Sequence, residues 1–485
     1  SSDKEIMDWM NFITAAPEMT LLGLICVVLI ADLFVDKEHR ILTYWMAMAS
    51  LAVTLWVLMA TAPEGRTEVF SGSYVSDGFS QALKIAVAGF VAVAFVYARD
   101  YLRANDLHKG EFYVLGLFGL LGMMIMISAN SLLTMYLGLE TLALSQYALV
   151  AFDRNNETSA ESAMKYFVLG AIASGALLYG ISWVYGVTGS IQFDEIAAVL
   201  AGNAALNSLP LWFGIAFMIV GIAFKFGAVP FHMWLPDVYH GARSPVTLYI
   251  ASAPKIAAFA LTIRILVDAL GDLHDVWSGM IMVIAVLSLL LGNIVAIAQT
   301  NIKRMLAYST IAHVGFILLA IYTGTEEGYA AALFYTLTYV VAAAGAFGMV
   351  ILLSRRGFEA ESLRDFKGLN ARSPWFALMM MFLMLSLAGI PPFIGFFGKL
   401  NAISAVLGSG YTGLAVLMML ASVPGLYYYL RVVWYMYFEE PEDLAVLQAN
   451  TDTRLVRSQH GMPGLALGTA PGWLSALCHP VSWGQ

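Results

Sequence analysis

The chain has few cysteines and few charged residues. Only two of its 485 residues are cysteines, Cys26 and Cys478, and charged residues make up 12% of the total. Two such distant cysteines provide neither a disulfide framework nor the spacing of metal ligands. The sequence also lacks a glycine-rich dinucleotide fingerprint, a P-loop and a paired-histidine haem signature. We therefore expect no redox centre, no bound cofactor and no metal site in this chain.

Apolar residues are correspondingly abundant in the chain. They make up 60% of the chain, and the mean hydropathy is +0.76, whereas a soluble domain has about 45–50% apolar residues. The excess is arranged in runs of about 20 residues, the length that a helix needs to cross a bilayer. The net charge is −8 and there is no basic cluster. The composition predicts an all-α polytopic membrane protein that lies in a lipid bilayer and binds no nucleic acid.

Thirteen apolar runs are long enough for transmembrane helices, and the chain is expected to have 13 or 14. We number them spans 1 to 13, near residues 17–35, 41–61, 80–98, 112–129, 131–151, 164–187, 209–229, 245–267, 277–298, 304–323, 330–353, 375–398 and 412–438. The first residues, SSDKEIMDWM, lack the basic region of a signal peptide, so span 1 is expected to be retained. The tail 441–485 holds a further apolar run of about 14 residues, which is short for a fourteenth span.

Basic residues are divided unevenly between the two sides of the predicted bundle. The side with the connections after odd-numbered spans, here called the basic side, carries Lys37, Arg40, Arg99, Arg103, Lys109, Arg154, Arg243, Lys303, Arg304, Arg355, Arg356, Arg364, Lys367 and Arg372. The opposite side, called the acidic side, has only Lys4 and Arg66 among many carboxylates. Because basic loops stay in the cytoplasm, the bias places the basic side there and the N-terminus on the non-cytoplasmic side.

Spans 7 and 12 contain residues that break helices. In span 7, FKFGAVPFH places Pro230 shortly after Lys225; in span 12, AGIPPFIGFFGK places Pro391 and Pro392 before Lys399. Proline removes a backbone hydrogen bond and clashes with the preceding turn. Interrupted segments in corresponding positions indicate an inverted repeat with ion sites at the breaks.

Four ionisable residues lie in or beside these apolar runs. Glu140 and Lys225 are deep in spans 5 and 7, Lys255 follows Pro254 in the middle of span 8, and Lys399 follows the break of span 12. A charge at the bilayer centre costs at least roughly 2.5–3.5 kcal/mol, so such residues are expected to be paired or hydrated inside the bundle. Placed together, Glu140 and Lys225 would keep each other charged and form a switchable proton site. The alternative is a static ion pair.

Other ionisable positions have weaker signals. Lys165 follows Glu161 by four residues, and an i,i+4 pair at a helix end is the ordinary alternative to a functional role. His232 and His313 could relay protons because imidazole titrates near neutral pH. For His313, a hydrogen-bonded packing role is equally open.

Three cations lie near the ends of spans, where a long side chain can reach the bilayer surface. This arrangement is expected for Lys84 in span 3 and for Arg264 in span 8. For Lys399 it is an open alternative to a role at the break.

Several stretches are similar to the antiporter-like membrane subunits of respiratory complex I, the proton-pumping NADH:quinone oxidoreductase. They are LGLE in span 5, FKFGAVPFHMWLPDVYHGA at span 7, APK in span 8 and STIAHVGF in span 10. The resemblance covers residues 15–440, and span 6 with Lys399 is most similar to the N-type subunits of that family. The chain departs from the pattern at Arg243 and Ser244, where HGARSPVT stands for the commoner HGAPTPVT, and in its tail.

The resemblance implies a domain organisation. An N-terminal three-helix region, 1–111, would precede two inverted five-helix repeats, 112–267 with spans 4–8 and 268–440 with spans 9–13. The tail 441–485 would follow.

The resemblance also implies a central hydrophilic axis along the membrane. Glu140 and Lys225 would be its charged pair, with Lys165 tuning Lys225. Further members of the axis would be His232, Lys255, His313 and, near the proton exit, Lys399.

The implied function is proton translocation by a non-redox subunit of the enzyme, driven by quinone reduction in partner subunits. Flavin, iron–sulfur clusters and quinone would all be in those partners. The chain would form a hetero-oligomer with other membrane-arm subunits in an energy-transducing membrane, the bacterial inner (plasma) membrane. Two alternatives stay open: a subunit of a cation/proton antiporter, and a passive scaffold, against which the intramembrane charges argue.

Overall fold

A computed structural model of the chain describes residues 9–202 and 208–442, together with Gly472, Ser475 and Cys478. In that part almost all regular structure is helical, and the only sheet is a two-stranded antiparallel hairpin of Thr67–Val69 and Tyr74–Ser76. Ten of the described helices are long and apolar enough to cross a membrane. The prediction of an all-α polytopic membrane protein is confirmed, whereas the short apolar run of the tail, apart from Gly472 and Ser475, lies outside the described residues.

The continuous helices follow the predicted spans. Spans 1 to 6 are Ala16–Asp32, Ile41–Ala60, Gly78–Ala104, Gly110–Ser128, Leu132–Val150 and Glu157–Thr188. Spans 9, 10, 11 and 13 are His274–Ala298, Ile302–Tyr322, Glu326–Leu353 and Thr412–Phe438. Short helices in the connections are Lys37–His39, Phe193–Ala201, Gly271–Leu273, Leu363–Phe366 and Leu369–Arg372.

Polar residues determine where several spans begin. The side chains of Asp77, Ser131, Asn156, Asn301 and Thr325 each accept a hydrogen bond from a backbone N–H in the first turn of the helix that follows. The first N–H groups of a helix have no partner within it, and a cap is typically worth about 1 kcal/mol. These side chains therefore end the connections and begin the spans at defined residues.

The predicted breaks of spans 7 and 12 are present and have the same design. Span 7 consists of Leu209–Phe226 and Trp234–Gly241, and span 12 of Pro374–Ala388 and Ile394–Gly408. The first half of each ends at a glycine with a left-handed backbone, Gly227 or Gly389, both at φ +78°. A residue with a Cβ is strained in that conformation, so glycine is the residue that ends these helices.

Prolines lie within or next to all three interruptions. Pro230 lies in the segment between the two halves of span 7, and Pro391 and Pro392 lie between those of span 12. Span 8 is interrupted as well, because Ser244–Ala251 and Ala253–Ile263 meet at a distorted Ser252, and Pro254 is in the first turn of the second half. That half continues into the π-helical segment Arg264–Ala269.

In each of the two predicted repeats, the first helix approaches the second closely at a glycine. A Cβ on Gly122 of span 4 would lie 2.6 Å from the Leu142 nitrogen of span 5. A Cβ on Gly292 of span 9 would likewise lie 2.6 Å from the Ala312 nitrogen of span 10. Small residues let membrane helices approach to backbone contact. The inverted relation of the repeats and their boundaries stay predictions.

The connections alternate between two sides, as the span count requires. On the basic side, Asn301 forms a backbone bridge with Ser362 of the connection between spans 11 and 12. On the acidic side, Ser131 bridges Gln192, and Tyr74 of the hairpin bridges Ala129. These bridges join connections on the same side of the bundle to each other. The charged residues within the spans lie between the two sides.

Candidate functional site

Glu140 in span 5 and Lys225 in span 7 are both half-buried. One carboxylate oxygen of Glu140 is buried and has no hydrogen-bond partner among the described residues. The Lys225 Nζ lies 5.6 Å from the centre of the Phe224 ring. No ion pair within 4.0 Å joins the two residues in the described part of the chain. Any coupling between them acts across space, and their role as a proton site stays a prediction.

Lys225 and Lys255 meet at one internal cavity. It has a volume of about 20 Å³, and its lining includes Gln146, Tyr166 and both lysines. One water molecule needs at least about 10–15 Å³, so the cavity has room for one. The structure thus brings together two predicted site residues and adds two polar residues that the sequence analysis missed.

Lys255 and Lys399 occupy equivalent places at two helix breaks. The Lys255 Nζ donates a hydrogen bond to the Phe226 carbonyl oxygen at 2.9 Å, and the Lys399 Nζ donates one to the Ala388 carbonyl oxygen at 3.1 Å. Both acceptors are the last residues of broken helices, whose free carbonyls attract cations. Lys399 is only 8% exposed. It therefore points into the bundle, and the alternative in which it reaches the bilayer surface does not hold in this structure.

His313 lies in a cluster of hydroxyl groups. Its Nδ1 is 2.6 Å from the Tyr335 hydroxyl and its Nε2 is 2.8 Å from the Tyr429 hydroxyl, which also contacts Ser309. Hydroxyl groups both donate and accept, so either ring nitrogen can carry the proton. A cavity of about 10 Å³ borders His313 and Ser386 at the break of span 12. The arrangement suits both the relay and the packing role.

His232 and Lys165 lie apart from these contacts. His232 is half-buried at the break of span 7, and its buried Nδ1 has no hydrogen-bond partner in the described residues. The Lys165 Nζ lies 2.8 Å from Glu161 and 3.1 Å from Asp237, and its side chain is 46% exposed. The ordinary i,i+4 pair is therefore formed. The tuning of Lys225 by Lys165 stays a prediction.

The prediction that Lys84 and Arg264 reach the bilayer surface is wrong. Lys84 is 2% exposed and ion-paired with Glu18, and Arg264 is 3% exposed. The Arg264 guanidinium lies 2.9 Å from Asp77 and 3.0 Å from Asp268. A buried cation is tolerated when acids from other elements pair with it. The sequence signals for these pairs were the acids near the starts of spans 1 and 3 and the i,i+4 spacing of Arg264 and Asp268.

Arg243 and Ser244, the two departures from the family pattern, bind carboxylates on the basic side. The Arg243 Nε donates to Asp153 at 2.8 Å, and the Ser244 hydroxyl donates to Glu359 at 2.7 Å. Burial, together with the neighbouring charge of Glu361, raises the pKa of Glu359 to about 8. The Ser244–Glu359 bond fastens the connection between spans 11 and 12 to the start of span 8, and the Arg243–Asp153 bond joins the connections after spans 7 and 5.

Comparisons with known proteins identify the family of the chain. The family model described as "NADH:quinone oxidoreductase/Mrp antiporter, TM" matches residues 129–424, which is more than half of the chain. The chain is 54% identical over 474 residues to the protein of Thioalkalivibrio sulfidiphilus (strain HL-EbGR7) named NADH-quinone oxidoreductase subunit N. That similarity covers 98% of this chain and 99% of the relative.

Solved structures show the same architecture. A chain of respiratory complex I from Thermus thermophilus with bound aureothin is 30% identical, with a TM-score of 0.81 over 96% of this chain and 99% of that one. A chain of the Mrp complex from Dietzia sp. DQ12-45-1b has a TM-score of 0.82 at 21% identity, over 97% and 96% of the two chains, and shares the fold. On the family match and the 54% identity, the chain belongs to the family of NADH:quinone oxidoreductase/Mrp antiporter membrane subunits.

Proposed function

We propose that this chain is a proton-translocating membrane-arm subunit of an NADH:quinone oxidoreductase. The observation that carries the proposal is the placement of Lys255 and Lys399, each buried against the carbonyl end of a broken helix. Ionisable residues inside a membrane bundle mark ion or proton paths, and helix breaks supply their ligands. The relative at 54% identity is named as subunit N of this enzyme.

The proton path we propose follows the charged residues across both repeats. It begins at Glu140 and Lys225, continues through Lys255 and His313, and ends at Lys399. Lysine suits such a path better than arginine because a buried ammonium can give up its proton, whereas a guanidinium keeps its charge. Lys165 and His232 would lie beside this path.

The same proposal gives this chain no redox chemistry of its own. Flavin, iron–sulfur clusters and quinone would be held by partner subunits, and quinone reduction there would drive the charge shifts here. The chain would therefore work only as a part of a hetero-oligomeric membrane complex.

A lysine substitution tests the function in the assembled enzyme. Complexes with Lys255→Met should contain flavin and iron–sulfur clusters and transfer electrons from NADH to a soluble artificial acceptor normally. Their NADH-driven proton uptake into vesicles should fall to less than about a tenth of normal, because a positioned proton carrier contributes about a hundredfold or more. The control is Lys37→Met, since Lys37 is exposed in a connection. Normal proton uptake in the Lys255 variant would contradict the proposal.

A cation/proton antiporter subunit is the second candidate, because the family description also covers Mrp antiporters. The purified complex distinguishes the two. If the copurified subunits contain neither flavin nor iron–sulfur clusters, and if a sodium gradient drives proton movement, the antiporter function is correct.

We further propose that the basic side lies in the cytoplasm and the N-terminus on the opposite side. In a background with Cys26→Ser and Cys478→Ser, single cysteines at Arg356 and Ala201 report on the two sides, because both positions are exposed. An impermeant thiol reagent added to intact cells should label the cysteine at Ala201 and spare the one at Arg356. The reverse pattern would overturn the orientation.

A further inference from the structure

Gln146 lines the cavity that Lys225 and Lys255 share. It is 3% exposed, and its Oε1 accepts a hydrogen bond from the Tyr166 hydroxyl at 2.7 Å. Its Nε2 is buried and has no hydrogen-bond partner among the described residues, although Gln146 lines a cavity with room for one water. Leaving a buried donor unsatisfied is destabilising, so the amide needs a partner.

The cavity is held in place by the break of span 7. Lys255 donates to the carbonyl of Phe226, the residue that follows Lys225 in the chain. The Trp234 ring lies 5.5 Å from the Lys255 Nζ and stacks on the Tyr166 ring with centres 4.6 Å apart. The Lys255 amine and the tyrosine whose hydroxyl orients Gln146 therefore both contact the break of span 7.

We propose that Gln146 holds a single water molecule that links Lys225 to Lys255 and carries the proton between spans 7 and 8. Gln146 is a positioning residue in this scheme, and the scheme rests on the function proposed above. What the scheme adds to that function is Gln146, the residue that positions the water for the proton transfer.

The donors and acceptors of the cavity support this role. A charged lysine offers only N–H donors, and so does the Nε2 of Gln146. A water that accepts from Nε2 and from one charged lysine has used both lone pairs, so its own hydrogens need an acceptor. The only acceptor that the two lysines can supply is a neutral amine. A neutral amine on one of the two lysines accepts one of these hydrogens, so this arrangement favours the state in which the two lysines share one excess proton.

The transfer itself is balanced. An N–H bond of charged Lys225 breaks as that proton bonds to the water oxygen, and an O–H bond of the water breaks as its proton bonds to the lone pair of neutral Lys255. Lys225 becomes neutral, Lys255 becomes charged and the water is regenerated. No oxidant, reductant or further reactant is needed.

The test uses the complete complex with two variants of similar shape, Gln146→Met and Gln146→Glu. Methionine removes the donors, and the carboxylate of glutamate would hold both lysines charged. Each should lower the rate of NADH-driven proton uptake at least about tenfold, since misplacing a reacting group can cost about a hundredfold. The uptake that remains should show a larger solvent deuterium isotope effect, because this proton transfer becomes rate-limiting. The amount of complex should stay normal.

The matched control is Ser145→Ala, which changes a buried neighbour whose hydroxyl bonds only to the Thr141 carbonyl. It should leave the rate and the isotope effect unchanged. Tyr166→Phe removes the hydroxyl that orients Gln146 and serves as a second probe if Gln146→Met fails to assemble; it should also raise the isotope effect. If proton uptake is lost with Lys255→Met but normal with the Gln146 and Tyr166 variants, this inference is wrong and the proposed function stands. If Lys255→Met also pumps normally, both fail.

Discussion

Complexes with Glu140→Gln or Lys225→Met are expected to lose most proton translocation, and the double variant should be no worse than Lys225→Met alone. The two residues lie in the first repeat without direct contact, so each influences the other through the field across a low-dielectric interior. When either charge is removed, the protonation of the remaining residue no longer responds to its partner. We expect proton uptake below about a tenth of normal in each single variant. The non-additivity follows because both changes disable the same step.

The measurement is a double-mutant cycle in membrane vesicles, with the amount of complex and NADH-driven proton uptake recorded separately. Glu157→Gln is the control for the carboxylate, since Glu157 is exposed at the start of span 6. Losses that multiply in the double variant would show that the two residues act in separate steps. Full uptake in the double variant would remove both from the path.

Replacing Lys399 should have an effect of similar size, and the choice of substitute separates charge from proton transfer. Lys399→Ala removes the amine that bonds to the Ala388 carbonyl, and Lys399→Arg keeps a cation there. An arginine can satisfy the free carbonyls of the broken helix but does not release its proton. We therefore expect both variants to lose most proton uptake and to slow quinone reduction, because the two processes are coupled in the proposed function.

Proton uptake and quinone reduction are measured on purified complexes, with electron transfer from NADH to an artificial acceptor as the control for assembly. If Lys399→Arg works normally while Lys399→Ala does not, the lysine is a structural cation at the helix break. If both work normally, Lys399 has no part in the path.

The breaks could be predicted from the sequence because their cause is local. Gly227 and Gly389 take left-handed backbones that end the helices, and the nearby prolines prevent continuation. The contacts of Lys255 and Lys399 with those helix ends could not be predicted. They depend on how the separate helical segments fold back on one another, and neither hydropathy nor spacing carries that information.

Apolar run lengths and local helix breakers are enough to predict the class of the protein, the number and places of the described spans and their alternation between two sides. Folding alone buries Lys84 against Glu18 and Arg264 against Asp77, and folding alone brings Gln146 to the cavity that Lys225 and Lys255 line. The reason is physical: the cost of burying a cation depends on which groups surround it. Those groups come from parts of the chain that only folding brings together.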